Sequence, residues 1–98
     1  MPPSQLQIQT RALERLKKEK ALYFKELEAE LKILGEMESC MADAYDIKKQ
    51  HEITSESKRM IDELNKRIAE YRTKLADFVA KYNGEENLDV AKALLTEF

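Results

Sequence analysis

The sequence predicts an all-α fold, an antiparallel up-down-up three-helix bundle with coiled-coil-like packing, two long helices and a shorter third. Its only prolines are Pro2 and Pro3 and it has two glycines, so little interrupts helix propagation afterwards. One apolar series recurs at alternating steps of three and four, the period of a helix face: Ile61, Leu64, Ile68, Tyr71, Leu75, Phe78 and Tyr82. A second series occupies a single heptad position of an earlier segment: Leu6, Leu13, Leu27, Leu34 and Met41.

The first helix is predicted over about residues 5–40. Ser4 and Gln7 have the spacing of a capping box, which would satisfy free amides at the helix start. Gly35 costs about 1 kcal/mol relative to alanine in a helix interior, so a bend or an early end there is an open alternative. With Leu6 at heptad position a, Lys20 interrupts the a series, and Phe24 and Leu31 widen the stripe. The d series reads Gln9, Leu16, Tyr23, Glu30 and Met37.

The second helix is predicted over about residues 46–82, after a turn at 42–46. Either Asp43 or Asp46 is expected to cap it, because a short carboxylate accepts from the first free amides. Gly84 is expected to end it with a left-handed C-terminal cap. The early part of its packing seam combines one isoleucine with three polar residues: Ile47, Gln50, Thr54 and Ser57.

The third helix is predicted over about residues 88–97, with Asn87 as its cap. Folding back from the preceding loop, it is expected to reach only about as far as Arg72. Its apolar face is predicted to consist of Leu88, Ala91, Leu95 and Phe98, with Val90 and Leu94 beside it. The whole chain, 1–98, is predicted to be a single domain.

Composition argues against several functional classes. The net charge of -2 offers no excess positive charge for nucleic acid or an anionic membrane. Cys40 is the only cysteine and His51 the only histidine, so an intrachain disulfide and two-histidine metal motifs are excluded. No phosphate-binding or catalytic motif is present, and no apolar run reaches the roughly 18 residues of a membrane span. We therefore predict a cytoplasmic protein that is not an enzyme and has no catalytic residue, cofactor or metal.

A surface for a protein partner is predicted where only two helices would pack. Apolar residues with no third helix to cover them would be left there, and exposed apolar residues rimmed by charge are typical of interaction sites. A loosely packed hairpin tip without a ligand is the open alternative. The residues that need cover are Leu31, Leu34, Met37, Met41, Ile47, Ile53 and Met60.

Four strings carry a resemblance to a known family. They are QIQTRALERL, RLKKEKALYFKEL, YDIKKQHEI and ESKRMI, which lie between residues 7 and 61. The chain resembles the tubulin-binding cofactor A family over roughly residues 5–82. The resemblance implies a non-catalytic three-helix bundle that binds quasi-native beta-tubulin after chaperonin release and passes it on for assembly with alpha-tubulin. It also implies a monomer or weak homodimer associated with the cytoskeleton, with other tubulin-folding cofactors as further partners.

The matching positions supply a predicted partner-binding set. Lys48, Lys49, Lys58 and Arg59 are expected to steer the acidic tubulin surface into contact, while Met37 and Met60 and the lysine stems would form the desolvated centre. Lys20 joins the set because it lies on the seam. The runner-up interpretation is a coiled-coil hairpin subunit of a larger, prefoldin-like assembly. The full predicted set is Arg15, Lys18, Glu19, Lys20, Tyr45, Asp46, Lys48, Lys49, Gln50, Lys58 and Arg59.

Overall fold

The protein folds into α-helices joined by short connections. A computed structural model describes residues 2–97 and contains three helices there: α1 (Gln5–Ser39), α2 (Ala44–Ala80) and α3 (Asp89–Thr96). The all-α, up-down-up prediction is confirmed. Each helix begins and ends within two residues of its predicted bounds. Phe98, predicted to complete the apolar face of α3, lies outside the described residues.

Contacts between residues divide the chain into two compact units. One, which we call the three-helix unit, consists of the chain up to Lys18 and from Asn65 onward. It contains the first part of α1, the last part of α2 and all of α3. The other, the two-helix unit, is Glu19–Leu64 and contains the remainder of α1 and α2 with the turn between them. The prediction of a single domain stays a prediction.

The three-helix unit has a continuous apolar core. Leu13 and Leu75 are completely buried at its centre. α3 is fastened on both sides, because Arg72 of α2 donates through Nη2 to the Leu95 carbonyl at 2.8 Å and Lys17 of α1 pairs with Glu97. The predicted reach of α3 to about Arg72 is therefore confirmed. The buried apolar residues of this unit are Leu6, Leu13, Leu16, Ile68, Leu75, Ala91 and Leu94.

The apolar face of α3 differs from the predicted one. Ala91 and Leu94 are buried, whereas Leu88 and Leu95 are half-buried and Val90 is exposed. Leu94 was expected beside the face and is one of its most buried members. The difference follows from the length of α3, which has only two turns. Its orientation is determined by its contacts with Arg72 of α2 and Lys17 of α1, which direct its apolar face towards the core of the unit.

The two-helix unit buries less. Its buried apolar residues are Leu34, Ile61 and Leu64, and Thr54 is buried among the polar residues. α1 and α2 are joined across this unit by the Gln50 side-chain amide, which donates to the Glu30 carbonyl at 3.2 Å. The seam predicted from the heptads is present, with polar residues taking part in it.

The ends of α1 are determined by local chemistry. Ser4 and Gln7 form the predicted capping box, with Gln7 N–H donating to Ser4 Oγ at 3.2 Å and Ser4 N–H donating to Gln7 Oε1 at 3.1 Å. α1 continues through Gly35, so the alternative of an early end there is wrong. It ends in a Schellman motif, in which Ala42 N–H donates to the Met37 carbonyl and Met41 N–H to that of Glu38.

Left-handed backbone occurs at Met41 and not at Gly84. Met41 has φ 56°, and no described glycine has a positive φ, so the predicted cap at Gly84 is wrong. Glycine is required at position 84 for space and not for a left-handed backbone. A Cβ there would lie 2.5 Å from Tyr82 Oη, which accepts a hydrogen bond from Glu86 N–H. Met41, predicted to continue the apolar heptad row, is instead 88% exposed because it lies beyond the end of α1.

Candidate functional site

The start of α2 presents the first cluster of predicted site residues. Asp43 caps the helix, since its Oδ1 accepts from Tyr45 N–H at 2.7 Å and its carbonyl from Ile47 N–H at 3.0 Å. Asp46 lies in the first turn, where its negative charge is favourable near the positive end of the helix dipole. The carboxylate predicted as a cap is thus Asp43, and Asp46 is left on the surface.

Tyr45 and two lysines form a basic and aromatic cluster on the first turns of α2. The ring of Tyr45 is 63% exposed, and Lys49 Nζ lies 5.3 Å from its centroid in a cation–π arrangement. Lys48 is exposed and forms no ion pair with any described residue. These three side chains are therefore free to meet a partner through one aromatic surface and two positive charges.

Arg59 is engaged by its own helix. Its guanidinium pairs with Glu56 and also donates to Glu63 Oε1 at 2.9 Å. The hydrogen bond from Arg59 lowers the pKa of the Glu56 carboxyl, and the two carboxylates raise the pKa of Arg59. Lys58, its neighbour, is exposed without an ion pair to a described residue. Of these two predicted steering residues, Arg59 is paired with carboxylates of its own helix and Lys58 is not.

Gln50 and Thr54 belong to the packing of the two-helix unit. Gln50 is half-buried and donates to α1, while the buried Thr54 hydroxyl donates to the Gln50 carbonyl at 2.9 Å. Beside them, Glu30 Oε2 is buried without a hydrogen-bond partner. Sequence reasoning placed Gln50 in the partner-binding set, and its side-chain amide donates a hydrogen bond to α1.

The α1 members of the predicted set fall in both units. In the three-helix unit, Arg15 and Lys18 are exposed. In the two-helix unit, Glu19 and Lys20 are half-buried, and Lys20 Nζ lies 5.6 Å from the centroid of the Phe24 ring. Lys20 therefore lies over an aromatic side chain, which explains how a cation is tolerated on the apolar row.

Most of the exposed large apolar residues of the described chain belong to the two-helix unit. Sequence reasoning anticipated Leu31, Ile53 and Met41, but Met37, Ile47 and Met60 are half-buried and Leu34 is buried. It missed Leu22 and Ile33, which lie outside the heptad rows and so carry no periodic signal. It also placed Phe24, which is exposed, on the apolar stripe of α1. The exposed apolar residues of this unit are Leu22, Phe24, Leu31, Ile33, Met41, Tyr45 and Ile53.

Residues 2–97 contain neither a cluster of metal-ligating side chains nor a helix that could span a membrane. No three His, Cys, Asp or Glu side chains in this range are arranged to hold a metal ion. None of its helices combines the length and apolar character needed to cross a bilayer. His51 Nε2 lies 3.4 Å from Glu38 Oε1 on the surface of the two-helix unit, so the single histidine takes part in a contact between α1 and α2.

Comparison with known families identifies the chain. The model of the family described as Tubulin binding cofactor A matches residues 1–95. The chain belongs to this family. The resemblance inferred from the four sequence strings is thereby confirmed.

Members of the tubulin binding cofactor A family are similar to the chain over most of its length. Tubulin-specific chaperone A of Saccharomyces cerevisiae is 36% identical over 97 residues, which cover 98% of this chain and 92% of the relative. The Gallus gallus protein of the same description is 34% identical over 88 residues, or 90% of this chain and 79% of the relative. Tubulin-folding cofactor A of Arabidopsis thaliana is 38% identical over 63 residues, or 64% of this chain and 56% of the relative.

Solved structures of this family share the fold. A structure described as RBL2P, beta-tubulin binding post-chaperonin cofactor, superposes with a TM-score of 0.91 at 33% identity, covering 96% of this chain and 93% of that one. The structure of tubulin folding cofactor A from Arabidopsis thaliana gives a TM-score of 0.81 at 29% identity, covering 94% and 90%. The all-α architecture of the tubulin binding cofactor A family is thus present in this chain.

Proposed function

We propose that this protein is a tubulin-folding cofactor. It binds and stabilises quasi-native beta-tubulin after release from the chaperonin and passes it on for assembly with alpha-tubulin. The observation that carries the proposal is the similarity, over nearly the full length of both chains, to a structure described as a beta-tubulin binding post-chaperonin cofactor. The protein works by binding, without catalysis, cofactor or metal, as a cytoplasmic monomer or weak homodimer associated with the cytoskeleton, and other tubulin-folding cofactors are further partners.

The two-helix unit supports the proposal chemically. It combines the exposed side chains of Phe24 and Leu31 with the unpaired cations Lys48 and Lys58 and with the Tyr45–Lys49 pair. Apolar contact supplies affinity once water is excluded, whereas surface lysines mainly speed the encounter with an acidic partner. A folding cofactor needs this combination, because it must capture its client quickly and release it intact. Arg59, already compensated by Glu56 and Glu63, contributes less to steering than the sequence suggested.

Affinity capture tests the function. The immobilised chain is mixed with cytosolic extract, and both tubulins are measured by immunoblot. We expect beta-tubulin to be recovered without alpha-tubulin. Recovery of neither tubulin would overturn the proposal, and a dilution-resistant hetero-oligomer with other helical chains would favour the prefoldin-like alternative.

The steering role is tested separately with the double variant Lys48→Glu, Lys49→Glu. The matched control is Lys25→Glu, Lys32→Glu, which changes the charge equally at two exposed lysines of α1 in the same unit. We expect association with purified beta-tubulin to slow by about tenfold at low salt for the first variant, with the difference shrinking as salt rises. Equal rates for both variants across salt concentrations would remove the steering role while leaving the capture function intact.

A further inference from the structure

α3 covers one flank of the α1–α2 seam in the three-helix unit. This flank is formed by heptad position e, counted with Leu6 and Ile47 at position a. On α1, Thr10 is 8% exposed and Lys17 pairs with Glu97 of α3. On α2, the equivalent contact is made by Arg72, which donates to the carbonyl of Leu95 at 2.8 Å. Position e of this unit is therefore the contact surface for a third helix.

The same heptad position is uncovered in the two-helix unit. We call Phe24, Leu31 and Lys58 the open e flank of this unit. Phe24 and Leu31 are 43% and 42% exposed, and Lys58 is exposed without an ion pair to a described residue. Two other e positions, Glu38 and His51, face each other at 3.4 Å and bridge α1 to α2. Thus Phe24, Leu31 and the unpaired Lys58 are exposed at the heptad position that contacts α3 in the three-helix unit.

Heptad equivalence indicates what kind of partner fits. Phe24 follows Lys17 by one heptad, and Lys58 precedes Arg72 by two, so each open position has a counterpart that contacts α3 or its C-cap residue Glu97. In the three-helix unit the apolar side chains of α3 are buried, while an acid and a C-terminal carbonyl accept from the flank cations. Lys20, over the Phe24 ring, adds positive charge beside the open e flank. A complementary helix would be apolar on one face and acidic at the edge that meets Lys58.

We infer that the open e flank binds an amphipathic, acid-edged helix of beta-tubulin, which packs as a third helix on the two-helix unit. The inference rests on the proposed function and adds the surface and the binding mode. Apolar residues of the client helix cover Phe24 and Leu31, and a carboxylate or helix-terminal carbonyl accepts from Lys58. The occupant is the client and not a second copy of this chain, because the structure that covers 96% of this chain is described as beta-tubulin binding.

The test compares two double variants of α1. Phe24→Glu, Leu31→Glu places two charges on the open e flank, and Leu22→Glu, Ile33→Glu places two on exposed apolar positions away from it. Circular dichroism and thermal unfolding establish that both retain the helical fold. With purified beta-tubulin, we expect the first variant to raise the Kd by at least about tenfold and the control by less than about threefold. Lys58→Glu should weaken binding and Lys58→Arg should preserve it.

The outcomes separate this inference from the function on which it rests. Failure of the unmodified chain to bind beta-tubulin would overturn both. Binding by the unmodified chain with equal Kd values for the two double variants would overturn the inference alone. A third outcome would also overturn the inference: the Phe24→Glu, Leu31→Glu variant loses a homodimer, measured by sedimentation, while its Kd for beta-tubulin is unchanged. The occupant of the open e flank would then be a second copy of this chain. If that variant does not fold, the dissociation rate of Lys58→Glu still decides. A contact with Lys58 in the complex predicts faster dissociation, and an unchanged dissociation rate would overturn the inference, because steering alters only association.

Discussion

The three-helix unit and the two-helix unit are built from the same two heptad series and differ in how deeply those series are buried. Position a of α1 is completely buried at Leu13 in the first unit and half-buried at Leu27 in the second. Position e is buried at Thr10 and about two-fifths exposed at Phe24 and Leu31. The apolar heptad rows run through both units, although the seam of α2 is more polar in the two-helix unit. The difference comes from α3, which packs in one unit and is absent from the other.

This difference fits the proposed division of stability and client binding between the two units. Burial of apolar area stabilises the three-helix unit, at roughly 25 cal/mol per Å² of surface removed from water. The two-helix unit leaves comparable side chains exposed and places polar groups in its seam, as at Gln50 and Glu30. Regions with few buried apolar contacts open at lower free energy, which suits a surface that must bind and release a client. Four experiments test this division between the two units.

Truncation of matched core leucines should have the largest effect. Leu13→Ala removes a completely buried side chain and is expected to lower the free energy of unfolding by about 3 kcal/mol. Leu27→Ala removes a half-buried side chain at the same heptad position and is expected to cost about 1 kcal/mol. Urea unfolding followed by circular dichroism measures both. Similar losses of unfolding free energy would mean that the two units are packed equally well, which would contradict the proposed difference between them.

Two threonines, one in each unit, provide the next test. The Thr10 hydroxyl is buried without a hydrogen-bond partner, whereas the Thr54 hydroxyl donates to the Gln50 carbonyl. Thr10→Val should raise the free energy of unfolding by about 1 kcal/mol, because a buried unpaired hydroxyl is replaced by a methyl group of the same shape. Thr54→Val should leave it within about 0.5 kcal/mol or lower it, because a satisfied hydrogen bond is lost. A gain at Thr54 equal to that at Thr10 would contradict the hydrogen-bond assignment.

These threonines also show how far sequence reasoning reaches. Helix bounds, the capping box at Ser4 and the buried seam are local or periodic features, and they could be predicted from the chain alone. The burial of Thr10 could not, because it depends on α3, which is more than 75 residues away in sequence. A polar residue at position e gives no sign of whether a third helix will cover it.

The candidate site was less predictable for a related reason. Exposure of Tyr45 and the lysines follows from their positions off the seam and was anticipated. The pairing of Arg59 was not, although Glu56 and Glu63 stand three residues before it and four after it. On a helix, an acid that precedes its base is the more favourable orientation, yet Arg59 also pairs with Glu63, which follows it. The carboxylates with which Arg59 pairs are determined by side-chain geometry as well as by spacing along the helix.

The turn of the two-helix unit is the third place to test. Met41 adopts φ 56°, which favours glycine, and its side chain is almost fully exposed. Met41→Gly is therefore expected to raise the free energy of unfolding by about 0.5 to 1 kcal/mol through relief of backbone strain. Glu28→Gly, at an exposed position in the interior of α1, serves as the control and should lower it by about 1 kcal/mol. A loss at Met41 as well would show that its side chain makes a contact worth more than the strain.

The smallest effect is expected from acid titration of the pair on the outer surface of α2. Arg59 lowers the pKa of Glu56 in the folded state, so the folded protein binds that proton less readily than the unfolded chain. The stabilising contribution is complete above the ordinary pKa of glutamate and is lost as the pH falls through the lowered folded-state value. Thermal midpoints measured from neutral pH to strong acid should therefore fall slightly more for the unmodified chain than for Glu56→Gln. Identical pH profiles would show that the pair contributes no pH-dependent stability, and that Arg59 remains as available to an acidic client as Lys58.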